Sequence, residues 1–192
     1  MEEKRVNSPE INELLGRFQG GEEGVFSELC ERYAPMLTSR VHYYFGTAYK
    51  DADLDFEEMV QDARLALYRA AGRYAVSNGK VTFGYYARAC VNNALSSYCR
   101  DHKKKAPIES IDEIDEMIFA ENGGPIDTLI EQEKLAELYL KISTVLSPLE
   151  RRVFDMYIEG DTTESIAKKL GKGEKSVSNA LYRMLSKLRG AL

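Results

Sequence analysis

Apolar side chains recur at every third and fourth position along most of this 192-residue chain, and no valine- or isoleucine-rich run alternates at every second position. That spacing restricts the chain to helices packed on helices, an all-α fold. The cleanest stripe, Phe56, Met59, Val60, Ala63, Leu67, Ala70, Ala71 and Tyr74, follows one side of a helix over 56–74 and marks it as core. Glycine and proline punctuate the remainder. A short helix over 10–19 stops at Gly20-Gly21, and a longer one over 22–45 stops at Gly46, with Pro35 placed to bend it. After the turn Ser77-Asn78-Gly79, a fourth helix runs over 81–102 with Phe83, Ala87, Val91, Ala94, Leu95 and Tyr98 inward. Further helices are expected over 127–145, 148–158, 162–170 and 174–188.

The formal charge of −5 conceals a division along the chain. Residues 168–189 carry seven basic side chains against Glu174 alone, and residues 88–105 carry five against Asp101 alone. Between them, residues 107–137 hold ten acids against Lys134. Two basic helical modules joined by an acidic linker follow from this pattern, with domains expected at 1–106 and 138–192 and the linker at 107–137. Gly123-Gly124-Pro125 lies within that linker.

Several function classes are disfavoured. Three cysteines, Cys30, Cys90 and Cys99, lack CxxC spacing, and the two histidines, His42 and His102, have no metal-binding partner at helical spacing. Asp51, Asp53 and Asp55, with Asp62 at the twelfth position, imitate a calcium loop, yet Phe56 stands where that loop needs glycine. They read as acids at a helix start, so neither metal nor cofactor is expected and the chain is read as no enzyme. No eighteen-residue apolar run and no apolar stretch after Met1-Glu2-Glu3-Lys4-Arg5 are present, which points away from membranes and towards the cytoplasm.

The C-terminal quarter carries a helix-turn-helix pattern: 162–170, a Gly171-Lys172-Gly173 turn, then an amphipathic run from 174. The start of a second helix in such a pair reaches base edges. Glu174, Lys175, Ser178 and Asn179 occupy that start, and lysine suits guanine acceptors while asparagine can pair bidentately with adenine. Lys172, Arg183 and Lys187 are placed to meet phosphates. On the outward side of the third helix, Glu58, Gln61, Asp62, Leu65, Tyr68 and Arg69 mix polar groups with two apolar ones that water does not require, a face that suits a docking surface for another helix pair and equally a solvated one.

Glu58-Met59-Val60-Gln61-Asp62 and Leu65-Ala66-Leu67-Tyr68-Arg69-Ala70 resemble the D-L-[VI]-Q-E motif and following helix of bacterial sigma-70 family RNA polymerase sigma factors. Phe83-Gly84-Tyr85-Tyr86-Ala87 is similar to that family's F-x-T-Y-A segment, and Leu149-Glu150-Arg151-Arg152-Val153-Phe154 with the helix-turn-helix resembles its promoter-reading domain. The resemblance, closest to alternative factors of the stationary-phase or sporulation type, covers residues 10–105 and 142–192. It implies a sigma factor that binds core polymerase and helps open promoter DNA. Glu58, Gln61, Asp62, Leu65 and Tyr68 would then meet the clamp coiled coil, with the flap as a second polymerase contact and an anti-sigma factor as a further partner. Phe83, Tyr86, Asn93, Ser96 and Arg100 would contact the −10 element, and the C-terminal set the −35 element. The acidic linker would thread towards the polymerase active site or RNA exit path. Ala89 and Cys90 replace the tryptophan pair of housekeeping members. Unstacking a base costs a few kcal/mol and an aromatic platform returns about 1–3 kcal/mol, so rings such as Phe83, Tyr86, Tyr74 and Tyr85, with phosphate attraction from Arg88, suit strand opening. A stand-alone helix-turn-helix regulator with a helical sensor domain is the competing reading, and a nuclease using the acids of 51–58 a third.

Overall fold

The computed structural model describes residues 7–48, 54–75, 81–102 and 129–191, and every regular element among them is helical. Each helix begins where the local sequence satisfies its free amides. The Ser8 side chain accepts from the Ile11 amide to open α1 (Pro9–Gln19), with Pro9 in the first turn. α2 (Val25–Tyr43) starts after Gly24, whose φ of 83° suits only glycine, and unwinds into a π turn over Tyr44–Ala48. Asp55 caps α3 (Phe56–Arg73) and Thr82 caps α4 (Phe83–Asp101).

The second half repeats the logic. α5 (Leu129–Val145) leads to α6 (Pro148–Ile158), whose Ser147 and Glu150 cap each other's backbone amides. Thr162 caps α7 (Thr163–Leu170), which ends at Gly171 with φ 62°, and α8 (Glu174–Ala191) closes the fold.

The helix boundaries expected from sequence agree closely for α1, α3, α6 and α7, while the second begins later and Gly46 lies inside the π turn rather than ending a helix. Asp51, Asp53, Ser77-Asn78-Gly79, the Lys103–Lys105 cluster and nearly all of the acidic segment lie outside the described residues.

The α3 stripe is core as its spacing requires, with Met59, Ala63, Leu67 and Ala71 fully buried against α2 and α4 and Phe56 and Val60 at its half-buried edge. Polar side chains hold the frame where helices end. Asn7 accepts from the Phe83 amide at 2.7 Å and donates to the Tyr74 hydroxyl at 2.9 Å, tying the chain before α1 to the start of α4. Gln19 donates to the carbonyls of Ala71 and Tyr74 at 2.8 Å each, closing the end of α3.

Helix α4 is buried on both sides. Phe83, Ala87, Val91, Leu95 and Tyr98 face α2 and α3 as the spacing requires, but Tyr85, Arg88, Ala89 and Asn92 are buried as well. Arg40, fully buried on α2, donates from Nε to Asn92 Oδ1 at 2.9 Å and lies 4.4 Å above the Tyr43 ring. A desolvated guanidinium needs such partners. One continuous cluster of buried apolar residues includes Tyr85 of α4, Tyr139 of α5, Phe154 and Ile158 of α6 and Leu188 of α8, so the two halves share a core. A smaller second cluster, Val153, Ile166, Ala167, Val177 and Ala180, holds the helix-turn-helix together.

Because Asn92→Ala removes a hydrogen bond from a buried cation without offering water, it should lower unfolding stability by about 1–3 kcal/mol in urea titrations. The same change at exposed Asn179 should stay within about 0.5 kcal/mol.

Candidate functional site

Three surfaces hold the residues singled out by sequence. On α3, Glu58 and Gln61 are exposed, Asp62 half-buried, and Leu65 and Tyr68 are 45% and 50% exposed. They form one face, as their spacing of three and four requires. Its ends are anchored differently. Glu58 accepts from the Tyr98 hydroxyl at 2.7 Å, reaching across to α4. Tyr68 meets Phe18 of α1 and Phe26 of α2 edge-on, each at 5.1 Å between ring centroids, so its ring is held although half exposed. Partial burial, reinforced by the Glu58 charge, raises the Asp62 carboxyl above the usual range, with Arg69 and His102 acting the other way. Phe18 and Phe26 were not distinguished by sequence, because they flank Gly20-Gly21 on different helices.

Along α4, Tyr86, Asn93 and Arg100 repeat every seven residues and so share a side of the helix. The buried end and the open end differ. Phe83 is 0% exposed and packs edge-on against Tyr33 and Tyr74, and Tyr86 is 4% exposed beside Tyr74. Asn93 and Ser96 are half-buried, and Arg100 is exposed. Tyr74 is a structural residue here, its hydroxyl donating to the Val81 carbonyl at 2.7 Å. Cys90 and Cys99 are desolvated, which pushes both thiols up to about 12 and leaves them protonated and inert.

The other side of α4 is occupied by the second half of the chain. Arg88, 1% exposed, donates to the Tyr157 and Ile158 carbonyls at 3.3 and 3.1 Å, the last carbonyls of α6. The Tyr157 carbonyl also accepts from the Gly160 amide at 2.9 Å, and the cation sits at the negative end of the helix dipole. Tyr85 lies 5.0 Å from Tyr139 and 6.1 Å from Phe154. Sequence reading assigned the Tyr85 ring and the Arg88 charge to DNA, and both are engaged in this contact.

On α8, Glu174, Lys175, Ser178 and Asn179 are exposed at the helix start with Lys172 in the preceding turn, while Val177, Ala180, Met184 and Leu188 face inward. Tyr182, 73% exposed, stands one turn beyond Ser178 on the same outward face, a relation the four-residue spacing alone could have identified. Arg183 and Lys187 turn instead towards α6, where Glu150, 3% exposed, accepts from Arg183 Nε at 3.4 Å and from Lys187 Nζ at 2.7 Å. Their charge orients α8 on α6. Burial works to raise the Glu150 carboxyl, but Lys187 and the Ser147 amide and hydroxyl reverse this and hold it at about 2. Asp155, on the same helix, is pushed up to about 6 by burial despite the Tyr139 hydroxyl and Arg151.

The family model described as Sigma-70 region 2 matches residues 29–105, which span α2 to α4. That described as Bacterial regulatory proteins, luxR family, matches residues 144–190, the helix-turn-helix unit. Two curated proteins align over nearly the whole chain. The RNA polymerase sigma-H factor of Bacillus subtilis (strain 168) is 24% identical over 196 residues, covering 93% of this chain and 87% of its own length. That of Bacillus licheniformis is 24% identical over 195 residues, covering 93% and 85%. This chain is an alternative sigma factor of the sigma-70 family. The structure of CnrH in complex with the cytosolic domain of CnrY covers 93% of the sigma factor and 94% of its own chain at 17% identity, with a TM-score of 0.38, too low to inform its architecture. No described helix of the sigma factor is long and apolar enough to cross a membrane.

The two carboxylates of α6 should titrate in opposite senses. Glu150, depressed in the folded state, contributes stability above its ordinary 4.5 that is lost as pH falls towards about 2, so Glu150→Gln should flatten the acid limb of the stability profile. Asp155, raised, costs stability as pH climbs from 3.8 through about 6. Asp155→Asn should therefore raise Tm at neutral pH and leave it unchanged below pH 3.8, as thermal melts across that range would show.

Proposed function

We propose that this sigma factor, which directs RNA polymerase to promoters, divides its work among the three surfaces just described. The α3 face of Glu58, Gln61, Asp62, Leu65 and Tyr68 docks on the clamp coiled coil of core polymerase. Asn93, Ser96 and Arg100 on α4 contact the −10 element, and Phe83 and Tyr86 serve base flipping once α4 is freed from its neighbours. Lys172, Glu174, Lys175, Ser178 and Asn179 on α8 read the −35 element, joined by Tyr182. Arg183 and Lys187 follow as phosphate contacts whose position Glu150 sets. The helix-turn-helix unit also meets the polymerase flap, and an anti-sigma factor would compete for the same faces.

One observation carries the docking assignment: two large apolar side chains stay about half exposed beside Gln61 and Asp62, and one of them is fixed between two aromatic rings. A rigid, partly apolar patch with a charged rim is what a protein partner uses. A solvated helix face would have no use for it.

The double change Gln61→Ala with Asp62→Lys should weaken binding to core polymerase by about tenfold or more in a titration with labelled sigma factor. Helical content should be unchanged. Unaltered affinity would remove the α3 assignment, and dimeric binding to an operator without polymerase would favour the stand-alone regulator. Promoter binding by the holoenzyme should weaken with salt at a log-log slope of about −0.9 per phosphate contact, and Lys175→Ala should weaken −35 binding in footprinting.

A further inference from the structure

The outward face of α8 carries one side chain unlike its polar neighbours. Tyr182 is 73% exposed, more than any other large hydrophobic residue among those described. It follows Ser178 by four positions, Asn179 by three and Lys175 by seven, so all four share one side of the helix. Among the described residues no ring contact or hydrogen bond engages it. The helix cannot turn to hide it, because Val177, Ala180, Met184 and Leu188 are buried on the inner side and Arg183 and Lys187 are paired with Glu150 on the flank. The Tyr182 ring therefore belongs to the surface that α8 presents outward and not to the core beneath it.

The groove that such a helix enters is polar almost everywhere. Base edges in the major groove offer nitrogen and oxygen acceptors and amino donors, and thymine alone adds an apolar group, its C5 methyl. Lys175, Ser178 and Asn179 suit the donors and acceptors, whereas a phenol ring suits the methyl. Position agrees with chemistry. The rise from Glu174 to Tyr182 is about 12 Å and the groove is about 12 Å wide, so Tyr182 still lies within it when the helix start meets base edges. The cations placed for phosphates lie elsewhere, Lys172 in the turn and Arg183 and Lys187 on the flank. A tyrosine also has only two torsions to fix when its ring is buried, which keeps the entropic cost of such a contact low.

We propose that Tyr182 is a specificity-determining residue of the −35 contact, its ring packing on the C5 methyl of a thymine next to the base pairs met by Ser178 and Asn179. The polar residues of the face read hydrogen-bonding groups, and Tyr182 reads the one apolar group that the groove contains. Because A·T and T·A pairs present that methyl in different places, the contact also distinguishes the two orientations of the pair. This inference rests on the assignment of α8 to the −35 element given above.

The test uses holoenzyme reconstituted with the full chain and a promoter duplex that it protects in footprinting. Each thymine of the −35 element, on either strand, is replaced in turn by deoxyuridine, which removes the methyl and keeps the pairing. One replacement should weaken wild-type binding about fourfold, the effect of withdrawing one buried methyl group, and the others should change it little. Tyr182→Ala should lose a similar factor on thymine DNA and be indifferent to deoxyuridine at that position, whereas Tyr182→Phe should keep the preference. Alanine favours the helix at this exposed position, and circular dichroism should show unchanged helical content. A wild type that discriminates at no position, or a preference that survives in Tyr182→Ala, overturns the proposal. Equal losses in Tyr182→Phe and Tyr182→Ala, with no preference for thymine over uracil, would assign the hydroxyl to a phosphate and overturn it as well. Lys175→Ala and Asn179→Ala separate this contact from the reading it rests on. If they weaken −35 binding and Tyr182→Ala does not, the thymine contact alone falls; if none of the three weakens it, the α8 assignment falls and takes the contact with it.

Discussion

Burial of α4 on two faces is the constraint around which the rest of this sigma factor is arranged. One face needs α2 and α3 to cover Phe83, Ala87, Val91 and Leu95; the other needs α5 and α6 to cover Tyr85 and Arg88. Each also holds a buried cation, Arg40 beside Asn92 towards α2 and Arg88 towards α6. Arg88 in the second is tolerated inside the protein because the carbonyls of Tyr157 and Ile158, at the end of α6, accept from its guanidinium. These bonds join the two halves beside the apolar core that they share.

The architecture was legible where a local rule decided it. The α3 stripe, the caps Ser8, Asp55, Thr82, Ser147 and Thr162, and the αL stop at Gly171 all act within about four residues, so spacing and residue type reveal them. The exposed α3 face and the start of α8 were legible for the same reason. What the sequence concealed depends on partners far along the chain. Asn92 reads as a surface residue until Arg40, fifty-two positions earlier, is brought beside it. The ion pairs of Arg183 and Lys187 are likewise hidden until Glu150, thirty-three and thirty-seven positions away, is brought beside them. Tyr85 and Arg88 lie off the apolar stripe of α4, and their burial is set by α5 and α6 rather than by periodicity.

Electrostatics in the C-terminal half is more local than the overall charge of −5 suggests. Glu150 neutralises the rear of a basic helix, leaving the positive charge of Lys172 and Lys175 to project from its front. The same carboxylate caps α6 through the Ser147 amide. A single buried acid thus ties the start of one helix to the flank of another and holds α8 against α6.

The three-ring cluster of Phe18, Phe26 and Tyr68 has a mechanical implication. Tyr68 is the only member on α3, while the other two belong to α1 and to the opening turn of α2. Pressure on that tyrosine is therefore transmitted to α1, and the segment just before α1 is pinned through Asn7 to the beginning of α4. A load on one flank of the molecule is thereby connected, through aromatic edges and one asparagine, to the first turn of α4.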